Sequence, residues 1–359
     1  MSFPPASCII SAIARIRTSR KRAAPETSAR TDHRLGRIVR LLTENATVVV
    51  SGTRIGEEIG TSRFAVWRLV QQLRSMGVKI AGHPKTGYQL KSVPDLLLPE
   101  ILAPMLAGVP LASRLHHYFR IGSTNAAAME AAALGEPEGS VFLAEEQTAG
   151  RGRGGHRWHS ELSAGIYLSV LLRPHLAPGD VLLLNLAAGL AAQSAVERVT
   201  GLVPDLRWPN DLLLNEKKCA GILAEMNAEA TRVRYAVLGI GLNVNHAAFP
   251  AELRSTATSL ALESGRTWSR AELAAALLKS LDREYRALAG REAPAAREAL
   301  LQRFQERSSY ARGRLVRVEE NGGFEGITDG LDPRGFLRVR TEHDWRTVLS
   351  GAVRPLKES

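Results

Sequence analysis

A chain of 359 residues with 45% hydrophobic content has the material for two or three domains with sizeable cores. Its two cysteines, Cys8 and Cys219, exclude a disulfide framework and a zinc-ligand spacing and fit a reducing cytoplasm; no membrane partner is expected, because no apolar run is read as reaching the roughly 18–20 residues that cross a bilayer. The net charge of +11 sits in residues 1–91, which hold 16 Lys+Arg against 5 Asp+Glu, so a polyanion partner is expected for that region and not for the neutral remainder.

Residues 1–32 are rich in Pro, Ser and Arg. Their short apolar run, Cys8-Ile9-Ile10, precedes the basic residues, the reverse of a signal peptide, and the segment reads as a disordered basic extension. Residues 33–92 read as a winged helix-turn-helix. Leu35, Ile38, Val39 and Leu42 recur at helical spacing. Ser51-Gly52-Thr53 offers a cap for a short helix over Arg54 to Ile59, and Ser62 offers one for Arg63 to Ser75. On that last helix Val66, Leu69, Val70 and Leu73 share a face, leaving Arg63, Arg68, Gln71, Gln72 and Arg74 to point outward. Strands flanking His83-Pro84-Lys85-Thr86 make a wing. A helical protein-interaction domain is the alternative; the localised charge and the wing favour DNA. Pro94 to Pro99 reads as the start of a linker, taken as 93–104.

Residues 105–306 mix strands and helices with hairpin-like neighbours, the pattern of an α+β fold around one mixed sheet. Ser123-Thr124-Asn125 opens an Ala-rich helix, and 181–199 is an apolar one. Between the strands Val141–Ala144 and Gly165–Leu172 lies Gly150-Arg151-Gly152-Arg153-Gly154-Gly155-His156-Arg157-Trp158. Glycines admit positive φ and close approach, free N–H groups form anion nests, and arginine forks suit phosphate. This reads as a flap over a phosphate-bearing ligand, with an exposed, flexible connection as the alternative. Arg207-Trp208-Pro209-Asn210-Asp211, the Asn215-Glu216 turn with Lys218, and the strand Tyr235 to Asn245 follow. A carboxylate and an α-phosphate that must meet need a cation between them more than a nucleophile. Lys218 alone reads as a turn lysine; with the Arg151/Arg153 flap and the Asn210-Asp211 turn it reads as that cation. Residues 307–359 are short alternating strands and read as a small SH3-like β-barrel.

The Gly150–Gly154 run, Trp158, Trp208-Pro209-Asn210-Asp211, Lys218 to Glu225 and Gly239 to Asn245, with Ser123-Thr124-Asn125 and Gln147 at matching order, resemble the biotin protein ligases over about residues 33–357. The winged helix, with Gly87-Tyr88 closing the wing, resembles the subgroup that is both ligase and biotin-operon repressor. The resemblance implies a class II aminoacyl-tRNA-synthetase-like catalytic domain. It implies that biotin and ATP with Mg²⁺ give biotinyl-5′-AMP, and that biotin then passes to a lysine of the biotin carboxyl carrier protein of acetyl-CoA carboxylase. Biotinyl-AMP as corepressor, a homodimer when loaded with it, and operator DNA as a partner are implied too. Carried over by position, Lys218, Arg151 and Arg153 are the expected catalytic residues. Ser123, Thr124, Asn125, Gln147, Arg151, Gly152, Arg153 and Lys218 are expected around biotin. Trp158, Asn210, Asp211, Gly221 and Asn243 are expected around the nucleotide, with Gly239 and Gly241 letting a strand approach the ligand. Arg63, Arg68, Gln71, Arg74 and Lys85 are expected on DNA; Asn210 and Asp211 would help hold the metal with the nucleotide, and no dedicated protein metal ligand is assigned. Three departures are Arg207, where lysine is common, Gly155-His156, in a stretch that is often more basic, and Ser350-Gly351-Ala352-Val353, which lacks an acidic residue often found there. A biotin-sensing DNA-binding regulator without ligase activity and a lipoate-type ligase are the competing readings.

Overall fold

The computed structural model describes residues 25–75, 77–92, 95–289, 293–320 and 322–356. The extension expected over 1–32 lies outside these up to residue 24, and helix α1 (Pro25–Glu44) begins ahead of the boundary expected at 33. Helices α2 (Gly52–Ile59) and α3 (Arg63–Ser75) follow. Ser51 Oγ accepts from Arg54 N at 3.1 Å and Ser62 Oγ from Ala65 N at 3.2 Å, so both expected caps form. Strands β1 (Lys79–His83) and β2 (Gly87–Ser92) pair antiparallel as the wing, with Lys85 at its tip in the left-handed region, φ 65°. Gly87 lies against the Val50 carbonyl where no Cβ fits. Leu35, Ile38, Val39, Leu42, Val66, Val70 and Leu73 make this region's core.

Within the stretch read as a linker, Leu96, Leu97 and Leu98 are buried. Leu96 and Leu98 pack into the winged-helix core, Leu97 packs into the central core, and α4 (Pro99–Met105) continues from them. Three consecutive leucines thus join two cores.

The central region runs β3 (Arg114–Tyr118), α5 (Thr124–Ala133), β4 (Ser140–Ala144), β5 (Gly165–Leu172), α6 (Leu182–Thr200), β6 (Asp205–Arg207), β7 (Asp211–Leu214), β8 (Lys217–Ala228), β9 (Val233–Asn243), α7 (Leu260–Ser264), α8 (Arg270–Ala289) and α9 (Ala293–Glu306). The strands form one seven-stranded sheet in the order β3-β4-β5-β9-β8-β7-β6, parallel only at β3/β4. Alternation divides its faces. Leu168, Val170, Leu238, Ile240 and Leu242 join the main core with α6 and α8. Leu171, Tyr235 and Val237 pack under α5 with Ala128 and Ala132. Helix α6, with the turn before it, is long and apolar enough to cross a membrane, a longer apolar element than the sequence reading allowed. Its Leu183, Leu186, Ala187 and Leu190 are buried in the core that it shares with α8.

The C-terminal strands are β10 (Arg312–Glu319), β11 (Phe324–Leu331), β12 (Leu337–Arg340), β13 (Trp345–Val348) and β14 (Ala352–Pro355). The expected SH3-like barrel is corrected here. The strands form an open antiparallel sheet in the order β13-β12-β11-β10-β14, whose edge strands β13 and β14 do not pair with each other among the described residues. Its inner residues Val316, Val318, Leu337, Val339 and Val348 are buried in the main core, so the sheet completes its packing against the central region instead of closing on itself.

Candidate functional site

Glycines floor the site. On the face of the sheet shared with α5, Gly239 and Gly241 of β9 stand beside Leu223 and Gly221 of β8. A Cβ on Gly239 would strike the Asn125 amide, one on Gly241 the Trp158 indole, and one on Gly221 would lie 2.9 Å from both Lys218 Cε and Trp158 Cζ3. The strands are bare where side chains from elsewhere must lie on them.

Lys218 reaches that face through a bulge. Leu213 pairs with Lys218 and Leu212 with Ala220, leaving Cys219 as the extra residue in β8. A bulge re-aims side chains by breaking the two-residue alternation. Lys218 thereby joins the face of Gly221, and Cys219 is fully buried in the core behind it. The Lys218 Nζ lies 2.5 Å from Asp211 Oδ1 and 5.6 Å from the Trp158 ring centre. Asp211, opposite Gly221 in the register, also accepts from Arg207 Nη2 at 2.6 Å. Burial pushes the Asp211 carboxyl up, but Lys218 and Arg207 outweigh it and hold it below its ordinary value. Arg207, the departure from lysine, therefore serves as a second cation on Asp211.

A polar network fills the end of the cavity under α5. Ser123 caps α5, accepting from Ala126 N at 3.4 Å. Gln147 Oε1 accepts from Thr124 N at 2.9 Å and Thr124 Oγ1 at 3.1 Å. Ser169 Oγ lies 2.8 Å from Thr124 Oγ1 and 2.6 Å from Asn125 Oδ1. Asn125 Nδ2 donates to Glu225 Oε2 at 2.8 Å. Such groups orient a polar ligand without reacting with it.

The expected flap is a small closed loop. Gly152 N donates to His156 O at 2.6 Å and Trp158 N to Gly150 O at 3.0 Å, with Gly154 and Gly155 at φ 65° and 80° making the turn. Arg151 Nη1 is 3.5 Å from Glu225 Oε1. The Arg153 guanidinium lies 5.9 Å from the Trp208 ring centre and donates to the Ser350 carbonyl, on the turn before β14. Glu320 fixes that turn by accepting from Ser350 N at 2.7 Å. Trp208 donates its indole N–H to Gly335 O at 2.9 Å. The C-terminal sheet thus braces the flap with backbone, without the missing acidic residue.

One cavity therefore collects Ser123, Thr124, Asn125, Gln147, Arg151, Gly152, Arg153, Trp158, Asn210, Lys218 and Gly221, with Gly239 and Gly241. Asp211 stands behind Lys218. Asn243 is not brought in: it is buried and its amide donates to Thr258 O at 3.0 Å. Ser169, Leu223 and Glu225 belong to the site and were not singled out as site residues from sequence. Glu225 shares the face of Gly221 and Leu223, a period-two signal in β8.

On the winged helix, Arg63 and Arg68 of α3 and Lys85 of the wing are exposed, and Gln71 is half-buried. Arg74 is not free: its Nε and Nη2 donate to Ile80 O at 3.0 and 2.8 Å, tying α3 to β1.

The pattern described as "Biotin/lipoate A/B protein ligase family" matches residues 120–243, and a helix-turn-helix pattern, "HTH domain", matches 34–89. The chain is 32% identical to the bifunctional ligase/repressor BirA of Bacillus subtilis over 319 residues, covering 88% of this chain and 97% of that protein. It is 39% identical over 238 residues to the biotin--[acetyl-CoA-carboxylase] ligase of Mycobacterium tuberculosis, covering 64% of this chain and 84% of that one. Among solved structures, the biotin protein ligase from Aquifex aeolicus in complex with biotin and ATP superposes with a TM-score of 0.59 at 28% identity, covering 68% of this chain and all of that one. A likeness that runs through both the helix-turn-helix and the glycine-floored cavity places the chain in the biotin protein ligase/repressor family.

Proposed function

We infer that the protein activates biotin with ATP and transfers it to a lysine of an acceptor protein. In the first step a biotin carboxylate oxygen attacks the α-phosphorus of ATP and pyrophosphate leaves. In the second an acceptor amine attacks the acyl carbon, AMP leaves and an amide forms. The observation that carries this reading is the Lys218 ammonium, swung by the bulge onto the glycine floor beneath the arginine flap. There it offsets the repulsion between two approaching anions. Ser123, Thr124, Asn125 and Gln147 would hold biotin, and Trp158 and Asn210 the nucleotide. Gly221 would let the nucleotide approach β8. Arg151, Gly152 and Arg153 would cover the anhydride and shed water.

Mg²⁺ fits this cavity only as an ion carried on the ATP polyphosphate. Both oxygens of Asp211 already face cations, and Glu225, at the end of the site, is held by Asn125 and Arg151. The ion would supply charge neutralisation of the phosphates. The acceptor consistent with this chemistry is the biotin carboxyl carrier protein of acetyl-CoA carboxylase.

The test is exchange of labelled pyrophosphate into ATP. Biotin-dependent exchange is expected, and lipoate is expected to support none. Exchange driven by lipoate, or no exchange at all, would exclude this reading in favour of a lipoate-type ligase or a ligand sensor without ligase activity.

Arg153→Gly removes the flap's hold on the Ser350 carbonyl. Release of biotinyl-AMP into solution is expected to rise about ten- to hundredfold, the worth of one hydrogen bond to a charged group. Adenylation itself is expected to persist. Quantifying free biotinyl-AMP after one turnover checks this, and unchanged release contradicts it.

The winged helix would bind operator DNA as a homodimer, with biotinyl-AMP as corepressor. Arg68→Ala is expected to weaken binding evenly across sequences and to lower the salt slope by about 1. Arg74→Ala is expected to lower the melting temperature of the winged helix, because its guanidinium holds β1. Titrations at several salt concentrations, beside thermal melts, separate the two; identical behaviour of both variants contradicts the assignment.

A further inference from the structure

Beyond the ligase cavity, a second cluster lies where the chain leaves the flap. His159 and Glu161 follow Trp158, and His246 follows β9. One ligand atom from each lies within 4.8 Å of the others.

His246 is fully buried. Its Nε2 is 3.2 Å from the Tyr167 hydroxyl oxygen. That hydroxyl donates its one proton to Glu161 O at 3.0 Å and accepts from Glu161 N at 2.9 Å. With the hydroxyl proton on Glu161 O, the His246–Tyr167 bond takes its proton from the imidazole, which assigns hydrogen to Nε2. Nδ1 is left as a bare lone pair, and it is buried with no hydrogen-bond partner. A buried acceptor without a donor is costly unless something binds it. An imidazole whose far nitrogen donates to a second group is also the usual state of a metal-bound histidine.

Phe249 stacks on His246 at 5.1 Å and meets His159 edge-on at 6.1 Å, giving an apolar wall. A buried cation near His246, Arg270, is matched by the Glu145 carboxylate at 2.8 Å. Two imidazoles and a carboxylate are the donors of a borderline divalent ion such as Zn²⁺, not of Mg²⁺, which takes oxygen ligands.

We propose that His159, Glu161 and His246 form a Zn²⁺-class site that clamps the chain just after Trp158 to the segment following β9. The proposal does not depend on the ligase reading, since its readout is metal binding.

The test uses the untagged full chain, freed of metal and titrated with Co²⁺ and Zn²⁺ alone. One equivalent of Co²⁺ is expected, with the visible absorption of a nitrogen-ligated, low-coordinate ion, displaced by Zn²⁺ and not by excess Mg²⁺. His159→Ala and Glu161→Gln, at the open side of the cluster, are each expected to weaken binding by more than about tenfold without lowering the metal-free melting temperature. His246→Ala is expected to abolish binding, and its melting curve shows whether it folds. Absence of stoichiometric binding, displacement by Mg²⁺, or unchanged affinity in both His159→Ala and Glu161→Gln would overturn the site.

Discussion

Lys218→Ala is expected to slow formation of the adenylate by about a hundred- to a thousandfold, while biotin affinity falls by less than about tenfold. The ammonium meets Asp211 at 2.5 Å and stands over Gly221, where a ligand carboxylate and a phosphate would converge. Its charge matters most when the two anions are brought together in the transition state, and less when biotin binds through the network under α5. The variant should fold, because Asp211 keeps Arg207 at 2.6 Å and is not left as a lone buried charge. Pyrophosphate exchange rates and calorimetric titration with biotin separate the two quantities. Equal losses in rate and affinity would assign Lys218 to ground-state binding alone.

Arg270→Ala is expected to destabilise the fold by about 3–5 kcal/mol, the cost of leaving a buried charge without its partner. Arg270 and Glu145 are both fully buried and meet at 2.8 Å. Glu145 also accepts from Leu97 N at 2.8 Å and Ser163 Oγ at 3.1 Å, and lies 3.1 Å from His117 Nε2. Arg270 Nη1 donates to Gly165 O at 2.9 Å, and its guanidinium also meets the Asp95 carbonyl. One ion pair thus fastens the leucines after the wing, the end of β4 and the start of β5. Burial alone would raise the Glu145 carboxyl; Arg270, His117 and the Leu97 N–H outweigh it and hold it down at about 2. A depressed folded value means stability that is fully present above the ordinary 4.5 and is lost as the pH falls toward about 2. Without Arg270 burial dominates and the folded value rises, so the variant's deficit should be greatest near neutrality and shrink as the carboxyl protonates. Denaturant unfolding across that range measures it, and a deficit independent of pH would contradict the assignment.

Local chemistry carried most of what was legible in the sequence. Ser51 and Ser62 cap the helices they precede, and the Gly/Arg run makes a compact loop over a cavity. Each is decided by residues within a few positions of one another. What stayed hidden lies where distant partners decide. Alternation in residues 307–359 reveals strands, but closure of a barrel depends on whether β13 meets β14, and the sheet stays open because its inner valines pack on the central core. Arg74 has the spacing of an outward helix residue, yet a carbonyl of β1 captures it. Asn243 falls in the strand motif, yet its amide turns to Thr258. The bulge at Cys219, which decides where Lys218 points, is a property of the pairing of β7 with β8 and is invisible in either strand alone. Ser169 is a lone polar residue in an apolar strand, and only the placement of α5 above it reveals its role.

A lysine re-aimed onto a glycine floor would let two anions meet beneath an arginine flap. The most direct measurement is the intact mass of an acceptor domain after incubation with the protein, biotin and MgATP. Wild type is predicted to add one biotinyl group, none without ATP, and Lys218→Ala to add essentially none in the same interval. An acceptor of unchanged mass with the wild-type protein, or an equal gain with Lys218→Ala, would contradict the account.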